Sequence, residues 1–196
     1  MNEKIVIKKD LDEKSIGLKN FLLQPYDGFG SENEDFAAII YVKGGCSNGN
    51  SEAKSDDKSA WMYYIKTPDK QYEDHSNTEL KGFSQNRMTL EAIIQAMTGL
   101  INLQIDRHKL LFVTDYNDLF GGITEWGKSW QENRWTRSKN KKIIDLDEWL
   151  IIFHAVEDYF SGSKVLFYSK STPEFSEGMN QVTEFVNSQT GYKTSH

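Results

Sequence analysis

The sequence predicts an α/β domain: a five-stranded mixed sheet, three antiparallel strands followed by βα units, flanked by helices. Three observations lead there. Apolar runs of strand length recur in the first half, separated by polar turns. The apolar spacing becomes helical from Leu90. Beyond it, short apolar strands alternate with amphipathic helices.

Residues 1–35 read as an N-terminal extension, with a strand candidate in KIVIKK and turn-forming, acidic YDGFGSENED after it. The domain is expected over 36–190, with a tail at 191–196. FAAIIYVK (36–43) is the first core strand. The Gly-, Ser- and Asn-rich stretch GGCSNGNSEAKSDDKSA then makes a long exposed loop. AWMYYIKT (60–67) is the second strand, and TELKGFS (78–84) the third, reached through PDKQYEDHSN; polar turns make the three a meander. Ile93, Ile94, Met97, Leu100 and Ile101 continue one helix face from Leu90. KLLFVTD (109–115) is a short buried strand with an aspartate at its end. Ile123, Trp126 and Trp130 then fall at helical spacing.

DLDEWLIIFHAVEDYF is the clearest helix. Asp145 is expected to cap it, with Glu148 three residues on completing a capping box. Leu146, Trp149, Leu150, Phe153 and Phe160 form its apolar stripe before Ser161 and Gly162 end it. KVLFYS (164–169) is the fifth strand, and Phe175, Met179, Val182 and Val186 mark a final amphipathic helix. No internal repeat is visible.

Composition narrows the function classes. The chain has 196 residues, a net charge of −6 and a high aromatic content, which suits a packed globule without global attraction to nucleic acid. A single cysteine excludes an internal disulfide and suits a reducing compartment. Neither a signal-like nor a membrane-spanning apolar run is present, so a cytoplasmic protein without a membrane partner or small-molecule cofactor is expected. His75, His108 and His154 share no ligand spacing with Cys46 or each other, which argues against zinc. YVKGGCSNGNSEAKS has no Walker pattern, and Cys46 has no histidine partner nearby in sequence.

One local concentration of charge stands out. Lys128, Arg134, Arg137, Lys139, Lys141 and Lys142 face the single acid Glu132, with Trp126, Trp130 and Trp135 interleaved. Such a tract suits phosphates and stacking on sugars or bases. A solvated helix and loop with its tryptophans in the core is the plainer alternative.

Three strings, SQNRMTLEAIIQAM, LLFVTDYNDLFGGITEWGKSW and NRWTRSKNKKIIDLDEW, resemble in order and spacing the ribonuclease H family, whose type-1 members cut the RNA strand of RNA–DNA hybrids. The resemblance spans roughly residues 36 to 188 and implies the ribonuclease H-like fold. It makes the basic tract a substrate-binding handle, and it places Gln85 and Asn86 where the family contacts the minor groove. It also implies four carboxylates around two metal ions. Here the family's Asp-Gly-Ser turn reads Lys43-Gly44-Gly45, and the acid of its Arg-Met-Glu string reads Thr89. Asp115 is retained, the fourth acid matches Asn180, and the Lys-Gly-His loop reads Lys170-Ser171-Thr172.

Two unit charges about 4 Å apart interact by about 4 kcal/mol at an effective dielectric near 20. An ammonium at Lys43 therefore repels dications and is expected to pair with Asp115 instead. No metal and no catalytic residue are expected, and Asp115, Lys43, Thr89 and Asn180 form a remnant site. The reading that follows is a catalytically silent module binding duplex or hybrid nucleic acid within a larger assembly. Its interface would be Gln85, Asn86, Lys128, Trp130, Arg134, Trp135, Arg137, Lys139, Lys141 and Lys142. One alternative is a protein-binding inhibitor or immunity-type protein, whose acidic SENEDF and DHSNTE segments would meet a basic partner. Another is an active enzyme using Mg or Mn, with acids recruited from Glu91 or Asp118. Glu91 lies two residues past Thr89, about 200° around a helix.

Overall fold

The computed structural model describes residues 17–28, 36–49 and 52–191, with the side chain of Lys139 outside that set. The strands are β1 (Gln24–Pro25), β2 (Ala38–Cys46), β3 (Ser59–Lys66), β4 (Gln71–His75), β5 (Leu110–Thr114) and β6 (Lys164–Phe167). They form one mixed sheet in the order β1-β6-β5-β2-β3-β4. The helices are α1 (Gln85–Asn102), α2 (Asn117–Gly121), α3 (Gly127–Glu132), α4 (Leu146–Ala155) and α5 (Ser176–Thr190). A π-helical turn, Gly122–Trp126, joins α2 to α3, and a second, Val156–Phe160, extends α4.

β2 is the central strand and is covered on both faces, which is why its sequence reads as an apolar run rather than an alternation. Ile40 and Val42 join the α1 side of the core with Leu90, Ile93, Met97 and Leu100. Tyr41 joins the α5 side with Met179, Val182 and Val186. Ser84 caps α1, its hydroxyl accepting from the Arg87 amide at 3.1 Å. The start of α1 lies directly on β2 at Gly44, where a Cβ would sit 2.1 Å from the Thr89 amide nitrogen. Only glycine fits there.

Three expectations change. The third strand is Gln71–His75, not 78–84; it pairs with β3 from Met62↔His75 to Lys66↔Gln71. As an edge strand of mostly exposed residues it has no apolar run to betray it, and 78–84 keeps only the isolated bridge Lys58↔Lys81. Among the described residues the sheet has six strands rather than five. Gln24 and Pro25 add in parallel beside Lys164 and Val165, and Leu18, Phe21 and Leu23 are buried in the main core. Part of the expected extension is therefore integral to the domain; KIVIKK, residues 29–35 and the tail 192–196 lie outside the described residues.

Lastly, Asp145 precedes α4 in a left-handed conformation (φ 55°) with no side-chain capping bond. Its carboxylate accepts from Asn86 Nδ2 at 2.7 Å, while Glu148, nearly buried, pairs with Arg87 at 2.6 Å. The two acids tie α4 to α1 instead of closing a capping box.

Candidate functional site

Strand register assembles the first element of the site. β2 and β5 run parallel, pairing Ala38 with Leu110 through Tyr41 with Val113. Two residues further on, the same register brings position 43 beside position 115. The Lys43 ammonium is ion-paired to Asp115 Oδ2, with the two side chains 16% and 30% exposed. Thr89 is buried and donates its hydroxyl back to the Gln85 carbonyl at 2.9 Å, within its own helix. A small cavity of about 60 Å³ opens beside Lys43, walled by Gln85 and, from α5, by Thr183 and Asn187. Asn180 is exposed and lies one helical turn earlier, outside that wall. The α5 residues facing Lys43 are thus ones the sequence match did not single out.

A pair of hard divalent cations needs several anionic oxygens. This junction offers one carboxylate with an ammonium already on it. Glu91 accepts from Gln95 on α1, and Asp118 lines a different cavity. Among the described residues no three His, Cys, Asp or Glu side chains converge to hold a metal ion. The described residues at this junction do not fit a two-metal centre.

The second element is a larger cavity of about 410 Å³ between the start of α1 and the basic handle. Ser84, Gln85 and Asn86 form one wall, and Trp126, Trp130, Ile143 and Trp149 an apolar one. Tyr116, Arg137, Asp118 and Glu52 complete it. The Tyr116 phenol is pushed up to about 12, first by burial and then by the nearby charges of Asp118 and Asp145.

The handle follows α3, where Arg134 and Trp135 both adopt left-handed backbone (φ 53° and 59°) and turn the chain. Lys128, Arg134, Arg137, Lys141 and Lys142 are exposed, and Arg137 bridges Lys141 through its backbone amide at 2.7 Å. Lys139 sits on the turn Ser138–Asn140, its side chain outside the described residues.

The tryptophans divide. Trp130 is buried and packs edge-on to Trp149 at 5.2 Å. Trp135 packs against Phe21 and Phe153, its indole nitrogen buried without a hydrogen-bond partner. Trp135 does not line the cavity, and Trp130 reaches its wall only as a largely buried ring. Trp126, half-buried on the cavity wall, is more open to a ligand than Trp130. Its helical spacing with Trp130 had made the two look alike.

These features have counterparts among known proteins. The family model described as RNase H matches residues 35–170. This chain belongs to the RNase H family. A Ribonuclease H of Actinobacillus succinogenes is 31% identical over 91 residues, covering 45% of this chain and 56% of that protein. One from Orientia tsutsugamushi is 27% identical over 123 residues, covering 61% and 64% respectively. The chain thus spans about half to two thirds of the curated relatives' length.

Among solved structures, a foamy viral protease-reverse transcriptase in complex with dsDNA superposes with a TM-score of 0.63 at 14% identity, covering 82% of this chain and 98% of that one. LC9-RNase H1, a type 1 RNase H with the type 2 active-site motif, superposes with 0.58 at 18% identity, covering 82% and 76%. At such identities the likeness shows the fold, a mixed sheet flanked by helices. Among the described residues no helix is long and apolar enough to cross a membrane.

Proposed function

We propose that this chain is an RNase H-fold module that binds duplex or hybrid nucleic acid without cutting it, as part of a larger assembly. The observation that carries this reading is the Lys43–Asp115 ion pair. On the resemblance read from the sequence, Lys43 stands where the family's chemistry calls for a carboxylate, and it pairs with Asp115, the acid retained there. The binding half rests on the exposed cations of the handle beside a cavity walled by Gln85 and Asn86. A foamy viral neighbour of the same fold was solved on a nucleic-acid duplex, which supports it by analogy.

The test is a labelled RNA–DNA hybrid incubated with manganese, with binding titrated in parallel. The expected result is retention without cleavage, weakening steeply with salt. Lys141→Glu with Lys142→Glu should lower the salt slope by about 2. Cleavage by the wild type that disappears in Asp115→Asn would overturn the silent-site reading in favour of recruited acids. Charge reversal that leaves retention untouched would remove the handle from the interface. Restoring acids in a Lys43→Asp, Thr89→Glu, Asn180→Asp variant should produce metal-dependent cutting if position 180 approaches the centre. An inactive triple variant, rescued by an acid at Thr183 or Asn187, would move the fourth position to the residues lining the small cavity.

A further inference from the structure

The larger cavity carries a charge pattern opposite to that of the surface beside it. Outside, Lys141 and Lys142 are exposed and lead directly into Ile143 and Ile144 of the cavity wall. At the cavity itself, the carboxylates of the exposed residues Glu52 and Asp118 are set against one guanidinium, that of the exposed Arg137. An ionised carboxylate only accepts hydrogen bonds, and it repels phosphate. The sugar–phosphate backbone is therefore matched to the handle cations and not to the carboxylate-lined cavity.

The cavity is suited to something uncharged that offers N–H donors. Trp126 supplies a half-buried ring for stacking, and the Gln85 amide can both donate and accept. The volume, about 410 Å³, lies within the range of small-molecule sites. A nucleobase with an exocyclic amine has the required parts: a flat π-face for the ring and amine hydrogens for the carboxylates. Adenine, cytosine and guanine carry such an amine; uracil offers only its single ring N3–H. A base can reach such a cavity only if it is unpaired, because pairing occupies that edge and holds the base in the stack.

We infer that the cavity takes one unpaired, amine-bearing nucleobase from a strand held by the handle. This rests on the nucleic-acid reading above and narrows it to strands with a bulge, loop or end. A cationic side chain of a protein partner would also suit rings and carboxylates, but Arg137 in the same wall opposes it.

The experiment titrates the full chain with three labelled RNA–DNA hybrids: fully paired, with one bulged adenosine, and with one bulged uridine. The adenosine bulge should bind about tenfold tighter than the paired hybrid, the scale of one stacked base. The uridine bulge should gain clearly less. Trp126→Ala should abolish the gain. Because Trp126 also packs near Trp130, Glu52→Gln on the exposed loop is the second variant. It should erase the preference for adenosine over uridine without weakening the paired hybrid.

Equal affinity for all three hybrids, or a gain that survives Trp126→Ala, overturns the inference and leaves the general binding reading intact. No binding of any hybrid overturns both. Release of the bulged hybrid by free arginine but not by free adenosine would replace the base with a cationic occupant.

Discussion

Two sites meet at the start of α1, with Gln85 lining both, and they treat charge in opposite ways. At the ends of β2 and β5, Lys43 and Asp115 are paired with one another. In the handle cavity, amides, carboxylates, a guanidinium and a ring line open space. The difference lies in what builds each site. Strand register sets the Lys43–Asp115 pair at the first, so a side-chain change there alters its charge without moving the backbone. The second depends on a helix start, a π turn and a loop held together by tertiary contacts.

The largest expected effect breaks both regions together. Gly44→Ala forces a Cβ against the backbone of α1 and should cost about 3 kcal/mol or more in urea unfolding. An unchanged midpoint would mean that α1 does not rest on β2 as described.

Next comes the tie behind the cavity. Arg87→Ala takes the guanidinium from the nearly buried Glu148 and should cost about 2–3 kcal/mol, the lower part of the buried-pair range because Arg87 is itself partly exposed. Hybrid binding should weaken alongside, through the Asn86–Asp145 contact. Loss of stability with binding intact would detach the cavity from this network.

A smaller effect appears only at alkaline pH. Burial first, then the phenol of Tyr64 and the carboxylate of Glu177, push Tyr41 up to about 12 from an ordinary 10.0. The folded state then holds this proton more tightly than the unfolded chain. Its contribution is fully present below pH 10 and is lost as pH rises towards 12. Stability followed by fluorescence should fall across that window, and Tyr41→Phe should flatten part of the fall. A variant falling as steeply as the wild type would assign the loss elsewhere, with Tyr116 the next group to remove.

The smallest effect sharpens the comparison most. Lys43→Met should change stability by no more than about 1 kcal/mol, since the ion pair is partly solvated. A much larger loss would make the pair a structural element rather than a substitution confined to the site.

Legibility in the sequence followed burial. β2, β5 and β6, and helices α1, α4 and α5, were readable because their buried faces leave apolar runs or stripes. β4 was misplaced and β1 missed, since one is an exposed edge and the other two residues long. Asp145 followed the pattern of a cap, yet its carboxylate found a better donor in Asn86, a residue distant in sequence. Such competition is invisible to local spacing.

The sequence by itself determined the class of fold, the cation at position 43 and the concentration of charge at 128–142, because these reside in residue identity and local period. The tertiary structure decided which tryptophan faces space, which α5 residues approach Lys43, and that carboxylates line a cavity beside a basic surface. The π turn at Gly122–Trp126 resets helix phase between Ile123 and Trp126, and the crossing of α5 over β2 sets which turn meets the strand end. Phase and crossing depend on how whole elements pack, and no single residue encodes them.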